Sequence, residues 1–389
     1  MKKRSFSIFA KARLLSLSLL CALIINIVTP SASGATERDV LGALGAESAI
    51  LIDADDKLVM LEKNARERMG EASTTKIMTA LVICRTLPLD KVVSVPPEAV
   101  GTEGSSVYLR EGELLSVRDL LYALLLASAN DAAVALALSC APSIDAFAEK
   151  MNLLAAELGL RDTNFTNPHG LYDENHYTTA YDLALIGAEA LKNEDLRAIF
   201  ATKKATIPLG VTPDLPEGEG QRYLQNHNKM LSLYDGAIGV KTGFTKKTGR
   251  CLVSAAERDG MTLICVTLNC PDDWRDHTKM LDYGFSGYER ATLFDVGEYS
   301  YSYAVSGGTE GYVCAVNSEA IALTLPKKRE KTVACAEFPQ RFEIAPIDSG
   351  ELLGRLCVSV GDRCACSPLV AAYSVKSSTE EKHKFFRQG

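Results

Sequence analysis

The chain has 389 residues, 47% hydrophobic and 23% charged, an ordinary globular composition with length enough for two domains that each bury a core. Its formal net charge is −7, and residues 1–35 hold five basic residues and no acid, so the remainder carries −12. A chain that acidic is a poor partner for nucleic acid or an anionic membrane surface, and both function classes are set aside.

Residues 1–35 read as a secretory signal. Lys2, Lys3 and Arg4 precede an apolar run from Leu14 to Val28, then Pro30 and the small residues Ser31 to Ala35. The apolar run is short of the ~20 residues that a membrane span needs. Export permits disulfides, but the cysteines are scattered, no C-x-x-C pair occurs, and Cys364-Ala365-Cys366 stands too isolated to argue a metal site. The redox state is left open, and the sequence argues for no metal and no cofactor.

Ala49–Ile52 and Leu58–Leu61, separated by Asp55-Asp56, read as a β-hairpin. Ser73 and Lys76 follow, three residues apart and leading an apolar run, Ile77 to Ile83. On a helix that spacing puts hydroxyl and amine on one face, with Ser73 in the first turn, where unpaired N–H groups favour negative charge. A serine needs a base, and a desolvated lysine can be one. Ser116 to Asp119 resembles a capping box before an apolar helix that stops at Ser128-Ala129-Asn130, and a second Ala-rich helix starts there. Helical runs continue over Ile144–Leu158 and Tyr181–Leu191, and Pro208 to Gly220 reads as a surface excursion.

Lys241-Thr242-Gly243 falls on a strand followed by a hairpin, Cys251–Ala256 and Met261–Leu268 around Arg258-Asp259-Gly260. Gly243 is read as letting a ligand approach the backbone closely. Cys251, Cys265 and Cys314 read as small core residues of strands, and Asp272, Asp273 and Asp276 as a solvated loop. Beyond Phe285 the alternation of Tyr299, Tyr301, Tyr303 and Val305, and of Leu356, Val358 and Val360, gives an all-β domain, and Ser377 to Gly389 a disordered tail. The expected class is α/β (α+β): an antiparallel sheet flanked by helices, with an all-helical subdomain and a C-terminal all-β domain. The expected divisions are signal 1–35, catalytic domain 36–288, β-rich domain 289–376 and tail 377–389.

S-x-x-K, S-x-N and K-T-G in this order, with Asn167-Pro168-His169-Gly170-Leu171 and His176 to Asp182, resemble the serine-type D-Ala-D-Ala carboxypeptidases, the low-molecular-weight penicillin-binding proteins. The resemblance implies Ser73 as nucleophile, Lys76 as its base and Ser128 as proton donor to the leaving amine. Asn130, Lys241, Thr242 and Gly243 would bind substrate, with the Ser73 and Phe244 amides as oxyanion hole. It implies a peptidoglycan pentapeptide as substrate and β-lactams as covalent inhibitors. Two departures stand out. Ala129 replaces the family's usual glycine, and the position of a carboxylate-gripping arginine holds Asp273, with Arg275 two residues on. His169 and His176 read as structural. The rivals are a β-lactamase, for which the E-x-x-L-N context is missing, and a catalytically silent cell-wall-binding scaffold. No C-terminal membrane-lying helix is apparent, so the expected location is outside the cytoplasmic membrane.

Overall fold

The computed structural model describes residues 36–212, 220–328 and 342–378. The expected signal lies outside them, as do the middle of the 208–220 excursion and most of the expected tail. The described residues form two compact units, one ending at Glu289 and the other starting at Arg290.

The first unit is built on a five-stranded antiparallel sheet in the order Val59–Lys63, Ser48–Asp53, Met261–Leu268, Gly249–Arg258, Ala237–Thr245. Every residue of Met261–Leu268 is buried, so the sheet is covered on both faces. Strand alternation divides the side chains between two cores. Ile50, Ile52, Ile264 and Val266 pack with the helices Lys76–Thr86, Val117–Leu126, Asn130–Leu138 and Ala180–Leu191. Ala49, Leu51, Leu263 and Cys265 pack with Met280, Leu281 and Phe285 of the helix Asp273–Gly287. The expected hairpin closes through Asp259-Gly260, both at positive φ (52° and 73°), as a two-residue type I′ turn requires.

The helix Asp273–Gly287 corrects the reading of its acids as a solvated loop. His277, Met280, Leu281, Gly284 and Phe285 recur at helical spacing and are buried. Asp273 and Asp276, each 2% exposed, come in with them. Burial is tolerable because the carboxylates are bonded: Asp276 Oδ2 accepts from the N–H groups of Gly45 (2.7 Å) and Ala46 (3.1 Å). The 208–220 excursion joins a hairpin that the Pro/Gly content concealed, Lys204–Pro208 paired with Gln221–Gln225.

The second unit centres on a sheet ordered Phe342–Ile344, Ser300–Ser306, Tyr312–Asn317, Arg363–Ala371, Leu352–Val360. Its inner face is Tyr303, Val313, Ala315, Leu356, Val358, Leu369 and Ala371. Cys314 points outward and is half-buried, unlike the fully buried Cys251 and Cys265. A disulfide joins Cys357 to Cys366 across the last two strands. Ser377 bridges to Gly308 and the Ser378 N–H donates to Gly307 O, so pairing continues two residues into the segment read as tail. Among the described residues no helix is long and apolar enough to cross a membrane.

Candidate active site

Ser73 does not sit in the first α-turn. It lies in a 3-10 turn, Ala72–Thr75, and the α-helix starts at Lys76. Neighbouring backbone clamps that turn on two sides. A Cβ on Gly170 (φ +83°) would fall on the Ala72 carbonyl, and one on Gly243 would come within 2.9 Å of Glu71 O and 3.0 Å of Ser73 N. Gly243 therefore admits the Ser73 turn against the sheet edge, and it also lines the cleft beside that turn.

Lys76 is fully buried, and its Nζ lies 2.9 Å from Ser73 Oγ, 2.7 Å from Asn130 Oδ1 and 2.7 Å from His169 O. Two of these partners are carbonyl oxygens, which only accept, while the hydroxyl can also donate. An ammonium can donate to all three, and after loss of one proton two N–H groups still serve the carbonyls while the lone pair can meet the Ser73 hydroxyl. Burial pushes Lys76 well below the ordinary lysine range, the nearby Lys241 adds like-charge repulsion, and Asp131 opposes both.

Ser128 and Asn130 come from the junction of the helices Val117–Leu126 and Asn130–Leu138. The left-handed residue there is Ser128 (φ +59°), whereas Ala129 has φ −63°, so alanine in place of glycine carries no strain. Asn130 Nδ2 donates to Glu103 O at 2.6 Å and its N–H to Ser105 O at 2.7 Å. Asp131 was not singled out in the sequence. Its buried Oδ2 accepts from Ser106 Oγ (2.6 Å) and from the N–H groups of Leu109 (3.1 Å) and Val107 (3.2 Å), tying that loop beside the site. An acid directly after S-x-N at the head of an otherwise apolar helix was the available signal.

Lys241 is 1% exposed on the edge strand, donates to Thr242 O at 2.8 Å, and is pushed down to about 7 by burial. Ser73, Ser128, Thr242, Gly243 and Phe244 line a cleft of about 600 Å³, and Lys76, Asn130 and Lys241 lie behind its wall. The seven residues singled out in the sequence thus gather at one cleft.

A cation reaches the rim from a position the sequence reading missed. Arg250, opposite Phe244 in the hairpin register, lines the cleft and forks onto Asp273, Nε to Oδ2 at 3.1 Å and Nη2 to Oδ1 at 2.8 Å. Its guanidinium lies 5.4 Å from the Trp274 ring. Asp273 therefore holds an arginine where the family's arginine was sought, and Arg275 is not on the cleft wall. Pairing Thr242 and Phe244 across the short turn to Gly249 would have located Arg250. His227, also unmarked in the sequence, lines the cleft, and burial together with Lys241 lowers its pKa. Of the other described histidines, His277 is buried between the hydroxyls of Ser254 and Thr267. His176 Nδ1 accepts the Thr166 N–H at 3.0 Å and Nε2 faces Glu71 Oε1 at 3.0 Å. Burial, with Lys76 beside it, pushes the His169 ring down to about 3.

Comparison with known proteins gives the same picture. A family model described as D-alanyl-D-alanine carboxypeptidase matches residues 33–272. D-alanyl-D-alanine carboxypeptidase DacF of Bacillus subtilis is 34% identical over 379 residues, 94% of this chain and 95% of that protein. The crystal structure of penicillin binding protein 5 from Haemophilus influenzae superposes with a TM-score of 0.70 at 26% identity, covering 90% of this chain and all of that one. The Streptomyces K15 DD-transpeptidase, 35% identical with a TM-score of 0.59, covers 63% of this chain and 98% of its own. An antiparallel sheet whose edge strand packs at Gly243 against the turn of a Ser–Lys pair, together with these matches, establishes that the chain belongs to the D-alanyl-D-alanine carboxypeptidases, the S11 family of serine peptidases.

Proposed function

We propose that Ser73 is the acylated residue of this carboxypeptidase and Lys76 its base. The observation carrying this is the 2.9 Å contact of Lys76 Nζ with Ser73 Oγ, the amine's other partners being two carbonyl oxygens. Lys76 takes the Ser73 proton as Oγ attacks the carbonyl between the two D-Ala residues of a peptidoglycan stem pentapeptide. The amides of Ser73 and Phe244 hold the developing oxyanion. Ser128 passes a proton to the departing D-Ala nitrogen, and the second Nδ2 hydrogen of Asn130 holds the substrate amide. Lys241 and Thr242 bind the terminal carboxylate, with Arg250 as a second cation at the rim. Water then releases the shortened peptide from Ser73.

The same acylation captures penicillin. Asp273 is the carboxylate on the cleft wall among the described residues, and Arg250 engages both its oxygens. That leaves no lining carboxylate free to activate water against the penicilloyl ester, which favours a lasting adduct over β-lactamase turnover. Residues 1–35 act as a signal peptide and the enzyme works outside the cytoplasmic membrane, a reading that rests on their basic–apolar–small pattern.

Free D-Ala released from diacetyl-Lys-D-Ala-D-Ala, and a one-to-one penicillin adduct by intact mass, are expected, with both lost in folded Ser73→Ala. An adduct that persists in Ser73→Ala, or rapid turnover of a chromogenic cephalosporin, would overturn the assignment. N-terminal sequencing of the protein recovered outside the cell checks the leader.

A further inference from the structure

The last hairpin of the second unit carries three sulfurs on one face. Cys357 on Leu352–Val360 sits directly opposite Cys366 on Arg363–Ala371, and the two are disulfide-bonded. Cys364 is two residues before Cys366, so strand alternation puts it on the same side. Its thiol is free and exposed, with Sγ 3.8 Å from Cys366 Sγ. All three sulfurs lie within 4.8 Å of one another. Cys364-Ala365-Cys366 alone is too little for a metal site, and the hairpin register adds the missing third residue.

We propose that this face is a redox-gated metal site, a three-thiolate centre for a thiophilic closed-shell cation of the zinc(II) type. Bonds of ~2.3 Å in tetrahedral geometry hold sulfurs about 3.8 Å apart, the spacing Cys364 and Cys366 already have. The opposite face of the hairpin is packed through Leu356, Val358 and Leu369, and a two-residue turn, Gly361-Asp362, closes it, so the strands carrying the ligands are fixed before the ion arrives. Arg355, two residues from Cys357 on the same outer side, offsets the negative charge that three thiolates bring. The exposed side leaves a fourth coordination position for water or an incoming ligand.

The gate is the disulfide. An external dithiol supplies two electrons and two protons, the Cys357–Cys366 bond opens to two thiols, and the dithiol leaves as its own disulfide. Metal binding then displaces one proton from each of the three thiols. Oxidised, the face offers one thiol and no site.

Cadmium(II) is the probe, added to the full mature chain after reduction with a phosphine and removal of the reductant. One equivalent should bind with an ultraviolet sulfur-to-cadmium charge-transfer band, and zinc(II) should displace it. The band should be absent from oxidised protein, and affinity should fall at least tenfold in Cys364→Ser and Cys357→Ser. Cys314→Ser, outside the cluster, should leave binding unchanged. Cys364 is exposed, so its serine variant tests the site without disturbing a core, and circular dichroism verifies the fold. No band in the reduced wild type, or full affinity in Cys364→Ser, would refute the site.

Discussion

At the scale of single residues the proposed mechanism requires two buried amines in opposite charge states. Lys76 accepts a proton only when neutral, so acylation rises with pH as it deprotonates, at a pH lowered by burial and by Lys241. Lys241 attracts a carboxylate only when charged, and its pKa is about 7, so binding falls as pH climbs through neutrality. The expected profile of kcat/KM, which reports the free enzyme, is a bell whose two limbs belong to the interacting pair. Lys241→Arg keeps its charge throughout the working range and should move the falling limb to higher pH. A falling limb that stays in place in this variant would detach it from residue 241. Gly243 tests the clamp on the nucleophile's turn. With Ser73 N only 3.0 Å from where a Cβ would stand, Gly243→Ala should slow penicillin acylation at least tenfold while circular dichroism stays unchanged.

Elements position these residues through contacts distant in sequence, and that distance separates what could be read from the chain from what could not. S-x-x-K was legible because hydroxyl and amine sit within one turn, and S-x-N because two apolar runs stop around it. The central strands were legible because Met261–Leu268 is apolar at both strand parities. Arg250 was not, since its place follows from the register against Phe244, nor was the burial of Asp273, whose charge is met by Arg250 23 residues away in sequence. The 3-10 turn at Ser73 is set by Gly170 and Gly243, distant glycines that no local propensity reports. Asp131 shows how an element's end enters the chemistry. Its carboxylate ties the 106–109 loop to the helix Asn130–Leu138 and favours the charged form of Lys76. Asp131→Ala should cost about 2–3 kcal/mol of stability, as loss of a buried charged hydrogen-bonding group does. It should also shift the rising limb of the acylation profile to lower pH, because Lys76 loses the charge that held its proton. Urea denaturation reads the first effect and stopped-flow acylation the second; a shift to higher pH would contradict the electrostatic assignment.

For the whole molecule the question is whether catalysis needs both units. All seven residues of the cleft constellation lie before Glu289, and the two cores of that unit contain no residue from the second. The second unit has a core of its own around Tyr303, Leu356 and Leu369. The Streptomyces K15 DD-transpeptidase matches 63% of this chain yet 98% of its own, so a relative of roughly the first unit's length exists without a counterpart to the remainder. A chain ending at Glu289 should therefore fold, and its penicillin acylation rate should stay within about threefold of the full protein's, since an intact nucleophile, base and carboxylate site fix the barrier and each ~1.4 kcal/mol is tenfold. The second unit would then govern where the enzyme works, which predicts equal rates on a soluble diacetyl tripeptide and unequal rates on intact peptidoglycan. Loss of acylation in a truncated chain that retains cooperative unfolding would instead make the β-rich unit part of the catalytic machinery.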